Sequence, residues 1–198
     1  MIKQSKHVAV GAILAAMACL PMQATAADGI VHLGYSFGGE TLATVYFTDG
    51  SSDNAKANMG LDLAGGVAFG SRLKGGVQGR ILAGYTFGGA GASNGGVEWR
   101  APHVDLVGHY NLTDTFRVGL GGTYHLSPEL KSTGDLAGVE VEYDNAFGSL
   151  VELEWDAQIV FFSMRYTAIS YDAESINGIG ISGESDGDSL GLYLGARW

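Results

Sequence analysis

From about residue 30 onward, apolar side chains alternate with polar or small ones, and short polar stretches interrupt the pattern at intervals. The last segment is the clearest. Leu190, Leu192, Leu194, Ala196 and Trp198 alternate with Gly191, Tyr193, Gly195 and Arg197. Successive side chains of a strand point to opposite faces, so each segment presents one apolar face and one small or polar face. The pattern predicts eight strands of roughly 9–18 residues.

The first covers residues 30–47, with Val31, Leu33, Tyr35 and Phe37 on one face and a bulge or break at Gly38-Gly39. A turn at 49–53 leads to the second, 55–69, carrying Leu61, Leu63, Val67 and Phe69. After a tight connection at 71–75, the third carries Val77, Ile81, Ala83, Tyr85 and Phe87. Residues 88–96 read as a Gly/Ala/Ser/Asn loop. The fourth strand carries Val104, Leu106 and Tyr110, with Pro102 near its start. Following a turn at 111–115, the fifth holds Phe116, Val118, Leu120 and Tyr124. Residues 127–144 form a long acidic loop with some strand character at 139–143. The sixth strand, with Phe147, Val151, Leu153 and Trp155, turns at Asp156-Ala157 into the seventh, with Val160, Phe162, Met164 and Tyr166. Residues 171–188 are the last long loop.

Short turns follow strands two, four and six, on the side of both termini. Longer connections lie opposite. Aromatic residues of the apolar face fall into two groups. Phe69, Tyr110, Phe116, Trp155 and Trp198 lie beside the short turns, and Tyr35, Tyr85, Phe87, Tyr124 and Tyr166 lie nearer the long loops. Two aromatic belts, short turns on one side and long loops on the other are expected of a barrel that spans a bilayer. A soluble eight-stranded barrel would alternate too, but with its apolar faces inside.

The opposite face carries Arg80, Arg117, Arg165 and Arg197 against Asp62, Asp105, Glu152 and Glu154. These eight predict a lumen charge network, since buried charges persist when paired and hydrogen-bonded. An eight-stranded interior is just wide enough for its own side chains. That argues against a wide pore.

Residues 1–26 read as a cleaved signal peptide. Lys3 and Lys6 precede an apolar run from Val8 to Leu20, and Ala24-Thr25-Ala26 is an A-x-A cleavage site. Residues 27–198 form a single barrel domain. Cys19 leaves with the leader, so no disulfide is available and closure must come from the backbone ladder. Loss of Lys3 and Lys6 leaves 9 basic against 21 acidic residues, a formal charge of −12, which disfavours nucleic-acid binding.

His32, His103, His109 and His125 all share the polar face. His103 and His109 stand nearly 20 Å apart along one strand at the rise of an extended chain, so they cannot share an ion. Lumen filling is the preferred reading, with no metal site and no cofactor. His125 and Ser127 are the one pair with the makings of a hydrolase, and no glutamate is clearly placed to orient the histidine. The long-loop side gathers Glu40, Asp49, Asp53, Glu129, Asp135, Glu140, Glu142, Asp144, Asp172, Glu174, Glu184, Asp186 and Asp188 against Lys56 and Lys131. Weak association of divalent cations there is an expectation, because Ca²⁺ and Mg²⁺ prefer oxygen ligands.

With the leader, the strand pattern and the ending Leu190 to Trp198, the chain resembles the small eight-stranded outer-membrane β-barrels of Gram-negative bacteria, the broad OmpA/OmpX/OmpW-like superfamily. The resemblance implies an all-β antiparallel barrel in the outer membrane with both termini periplasmic. It implies contact with lipid and lipopolysaccharide, and a C-terminal strand read by the barrel-assembly machinery. It is not specific for activity. The expected role is structural or surface-exposed, with a plugged polar lumen and acidic external loops. The alternatives are a narrow channel for small or apolar solutes and a hydrolase acting on lipid A.

Overall fold

The structure, a computed structural model, describes residues 27–46, 50–92, 95–134 and 138–198. The expected leader lies outside the described residues, as do Asp49 and Asp135 of the acidic set. The described chain is entirely β. In order the strands are β1 (Asp28–Gly38), β2 (Thr41–Tyr46), β3 (Ser52–Lys56), β4 (Gly60–Gly70) and β5 (Val77–Ala92). Then come β6 (Gly95–Asn111), β7 (Phe116–His125), β8 (Glu129–Gly134), β9 (Glu140–Tyr143) and β10 (Ala146–Ala157). The chain ends with β11 (Val160–Ala168), β12 (Ser170–Ile176), β13 (Ile179–Gly180), β14 (Glu184–Asp186) and β15 (Ser189–Arg197).

Eight of these close a barrel. The order is β1, β4, β5, β6, β7, β10, β11, β15 and back to β1, with every neighbour antiparallel. The closing seam pairs Ile30 with Arg197 and Gly38 with Ser189. Closure leaves no unpaired edge in the wall, the condition for a sheet to sit in lipid. Faces follow the alternation. Leu33, Leu63, Ile81, Leu120, Val151, Phe162 and Leu192 are exposed on the outside, while Arg80, Asp105, Arg117, Glu152, Glu154 and Arg165 are buried within. This is the reverse of a soluble barrel.

On one side the wall continues beyond the barrel. The hairpin of β5 and β6 rises past β4 and β7, and β6 passes from pairing with β7 to pairing with β8. The sheet runs on through β9 and β12 to β13, and β14 also pairs with β12. The separate hairpin of β2 and β3 covers its inner face, where Val45, Ala55 and Ala57 join Trp99, Leu130, Tyr143, Ile169 and Tyr171 in an apolar core. We call this extension the cap.

The cap corrects several expectations. Of the loop expected at 88–96, residues 88–92, 95 and 96 are strand instead, because β5 and β6 pair as far as Ala92 and Gly95. The loops expected at 127–144 and 171–188 are largely strands β8, β9, β12, β13 and β14. The first expected strand divides into β1 and β2 at Gly38-Gly39, where both glycines have positive φ (126° and 73°). The second divides into β3 and β4. The turn expected at Asp156-Ala157 lies two residues later, with Gln158 at φ 75°. Pro102 is inside β6, not near its start. It lies opposite Tyr85 on one side, and on the other falls between His103, paired with β7, and Arg100, paired with β8. Its missing N–H falls where the neighbouring edge is interrupted, and its carbonyl accepts from the Leu126 N–H at 2.8 Å.

Candidate functional site

The interior has three layers. Nearest the short turns is an ionic layer centred on two glutamates that β10 directs inward at alternate positions. Glu154 accepts from Arg80 Nη2 at 2.6 Å and Arg197 Nη2 at 2.9 Å, and Arg117 Nε lies 3.3 Å from it. Glu152 accepts from Arg165 Nε at 2.9 Å and pairs with His109 Nε2 at 3.1 Å. Arg165 Nη1 also donates to Asp105 at 2.6 Å, and Arg117 donates to Asp156. The Gln78 side-chain oxygen accepts from Arg117 at 2.8 Å. Arg80 and Arg197 both lie over the Phe161 ring, each guanidinium carbon 5.0 Å from the ring centre. A side chain at Gly195 would collide with that ring, so only glycine leaves it room.

Seven of the eight residues expected in a lumen network are joined here: Arg80, Asp105, Arg117, Glu152, Glu154, Arg165 and Arg197. Asp62 is not. Its place is taken by Asp156, which the sequence reading assigned to a turn. The layer therefore sets four guanidinium groups against four carboxylates, all buried. Planar, multidentate arginine heads suit such a lattice, since one carboxylate can serve several of them.

Asp62 belongs to the second, polar layer. The Thr86 hydroxyl donates to it at 2.8 Å. His32 Nε2 stands 3.3 Å from one of its oxygens and His103 Nε2 3.5 Å from the other. A void of about 10 Å³ lies among Asp62, His103, Asp105, Thr123, His125 and Tyr193. That is about the room one water needs. Ser36 and Tyr193 share a hydrogen bond of 3.1 Å at its margin.

The third layer is the apolar core of the cap. Trp99 packs edge-on against Tyr143 and Tyr171, at ring separations of 5.5 and 5.1 Å. His125 forms the junction between layers, stacked on His103 at 5.4 Å and hydrogen-bonded through Nδ1 to the Tyr171 hydroxyl at 3.0 Å. Burial pushes the Tyr171 phenol well above its ordinary pKa, and Tyr143 moves the same way for the same reason.

The two hydrolase candidates do not form a pair. Strict alternation would put His125 and Ser127 on one face, but Ser127 takes a left-handed conformation (φ 41°) and is exposed, while His125 is buried. The partner of His125 is a phenol rather than a carboxylate. Among the described residues, one group of three metal-type donors converges, His109, Glu152 and Glu154. Its oxygens already face Arg80, Arg117, Arg165 and Arg197, so a cation there would meet four positive charges.

Outside, the aromatic residues expected in belts sit on the wall. Trp155 stacks on Phe162 at 5.6 Å, and Tyr85 lies 6.3 Å from Phe87. Tyr110, Phe116, Tyr124 and Trp198 are exposed on the same surface, Tyr35 is half-buried there, and Phe69 is half-buried beside Gly79. Tyr166 donates to Asp188 at 2.7 Å. A groove of about 870 Å³ runs along the outer face of the β5–β6 hairpin, between Tyr35, Leu61 and Phe87 and the tip glycines. Within it Glu98 pairs with Arg100 at 2.6 Å, and Arg100 also reaches Glu129 at 3.5 Å. Several cap acids are committed locally. Asp186 accepts from the Asp188 N–H, Asp188 from the Ile169 N–H, and Glu40 from the Asp186 N–H.

No protein-family model matches the chain, and no curated protein matches it. Among solved structures, Ail, the attachment invasion locus protein of Yersinia pestis, aligns with a TM-score of 0.51 over 88% of this chain and 100% of its own, at 10% identity. The outer membrane protease OmpT of Escherichia coli aligns over 90% of this chain and 96% of its own at 11% identity, but its TM-score of 0.35 is too low to bear on the fold. The chain is thus an all-β, closed, eight-stranded antiparallel barrel with the fold of small outer-membrane barrels such as Ail.

Proposed function

We propose that this chain is an integral outer-membrane protein with both termini periplasmic, that its lumen is closed to solutes, and that it acts through the surface its cap presents to the exterior. Lipid and lipopolysaccharide surround the wall in this reading, and the barrel-assembly machinery receives the strand ending at Trp198. The observation that carries it is the stack of layers inside the barrel. Four arginines and four carboxylates fill the ionic layer, and a packed aromatic core lies over the mouth. A solute would have to part both. The apolar outer wall and the aromatic rows at its margins support the location.

Purified protein reconstituted in a planar bilayer tests this. No stable conductance is expected. A large, steady conductance, or entry of small solutes into protein-loaded liposomes, rejects closure in favour of a conduit. The same reading expects no release of acyl chains from lipopolysaccharide, because His125 and Ser127 face apart, and Ser127→Ala would leave that blank unchanged.

A further inference from the structure

The three short turns of the wall join β4 to β5, β6 to β7 and β10 to β11, and each carries an exposed aliphatic side chain. Leu73 is 74% exposed, Leu112 46% and Ile159 70%. At the fourth corner of this rim, where β1 and β15 meet, Trp198 is 76% exposed. Turn geometry calls for glycine, asparagine, aspartate and serine, and Ser71, Gly75, Gly76, Asn111 and Asp114 supply them. The aliphatic residues answer no such need. They extend the outer wall instead. Leu73 precedes Val77, Leu112 follows Tyr110 and Ile159 adjoins Val160, and each of these neighbours is exposed on the wall. Contiguous apolar area left open on a folded protein marks a contact surface.

The turn backbones are met largely from within. Asn111 knits the first turn to the second. Its N–H donates to the Gly76 carbonyl at 3.0 Å and its carbonyl accepts from the Gly75 N–H at 2.8 Å. Its side-chain amide donates to the carbonyls of Ser71 and Leu73 at 2.7 and 3.1 Å. The Lys74 N–H donates to the Asp114 carboxylate at 3.2 Å. The Asp156 N–H donates to the Thr115 carbonyl at 2.7 Å, which ties the second turn to the third. Arg72 Nη2 donates to the Gln158 carbonyl at 2.8 Å, which ties the first to the third. The Ile159 carbonyl accepts from the Arg197 N–H at 2.8 Å. Turns in bulk water have no need of such lacing, because water serves their polar groups. Backbone at the margin of a lipid layer does need it, because an unmet N–H or C=O is costly there.

We propose that this rim is a lipid-contact surface. The short turns lie at the boundary between headgroups and acyl chains, and Leu73, Leu112 and Ile159 reach among the chains. Elements lying in that boundary seat their apolar side chains about 5–10 Å into it. Arg72 and Lys74 stand against Asp28 and Asp114 at this end, so no excess of negative charge repels lipid phosphates, in contrast to the cap. Lys74, beside Leu73, lays its stem along the chains and carries its ammonium back to the phosphate layer. The inference rests on the reading above that the wall sits in lipid, and it adds where along the bilayer normal the barrel is held.

The test places single cysteines at Leu73, Leu112 and Ile159, each carrying an NBD fluorophore, in the protein reconstituted into phosphatidylethanolamine–phosphatidylglycerol vesicles. Labels at Ser52 in the cap and Leu192 on the wall are the aqueous and lipid references. Two quenchers are compared: a lipid with a nitroxide high on its acyl chain, and iodide supplied on both faces of the vesicle. At all three turns the nitroxide lipid should quench strongly, and iodide quenching should be about fivefold weaker than at Ser52. The turns are labelled separately, so a variant that fails to fold leaves the others to decide. Iodide quenching equal to that at Ser52, at any turn, overturns the proposal. If Leu192 meanwhile stays quenched by lipid, the membrane reading stands and only the seat of the turns is wrong. Iodide quenching at Leu192 as well rejects both. Protection from both quenchers at the turns also overturns the proposal, and assigns the rim to a protein contact.

Discussion

Glu154 accepts from two guanidinium groups and lies within ion-pair reach of a third in a fully buried site. Removing one member of a buried ionic cluster leaves uncompensated charge, at a cost of about 3–5 kcal/mol. Glu154→Ala should therefore lower stability by that amount in urea unfolding of the micelle-bound protein, and Arg72→Ala, at the partly exposed margin, by less than about 1 kcal/mol. Tyr171 gives a pH signature. An unfolded phenol loses its proton near pH 10, whereas burial keeps the folded one protonated. Above about pH 10 the folded state binds more protons than the unfolded, so cap stability should fall as pH rises through that range. Tyr171→Phe should flatten that decline, while costing about 1–3 kcal/mol because His125 Nδ1 loses its partner. Titration of cap protease resistance between pH 9 and 11 checks both. Most of the ionic layer was legible from period two alone. Asp156 was missed because it stands at a strand end, where alternation gives way to turn chemistry. Asp62 was placed on the correct face but in the wrong set, because the tilt of strands around the barrel decides which inward residues meet, and single strands do not encode it.

At the scale of elements, the wall and the cap are separate packing units. The wall is held by closed ladders and the ionic layer, the cap by Trp99 and its aromatic neighbours. Trp99→Ala should cost about 3–5 kcal/mol and express it locally. Hydrogen exchange should quicken in β8, β9 and β12 while β10, β11 and β15 keep their protection. Equal loss across all strands would show a single cooperative unit instead. The barrel strands announced themselves through alternation of large apolar residues. The cap strands did not, because their outward faces carry glycine, serine and glutamate that read as loop. Residues 88–92 show the problem. Gly-Gly-Ala-Gly-Ala has the composition of a flexible connection, yet its ladder partners in β6 hold it extended. Pro102 compounded it, a ladder breaker that falls at a change of partner.

For the molecule as a whole, the account rests on a wall whose aliphatic side chains meet lipid while its charges meet one another. Residues 27–198 contain no cysteine, so single cysteines carrying spin labels can be placed cleanly in the barrel. Labels at Leu190, Leu192 and Leu194 on β15, and at Val151 and Leu153 on β10, would be read in bilayers for collision with oxygen, which concentrates in lipid, and with a water-soluble nickel chelate. The account predicts strong oxygen contact and weak nickel contact at all five positions. Strong nickel contact at these positions, with oxygen excluded, would put the apolar face in water or against the barrel axis and contradict it.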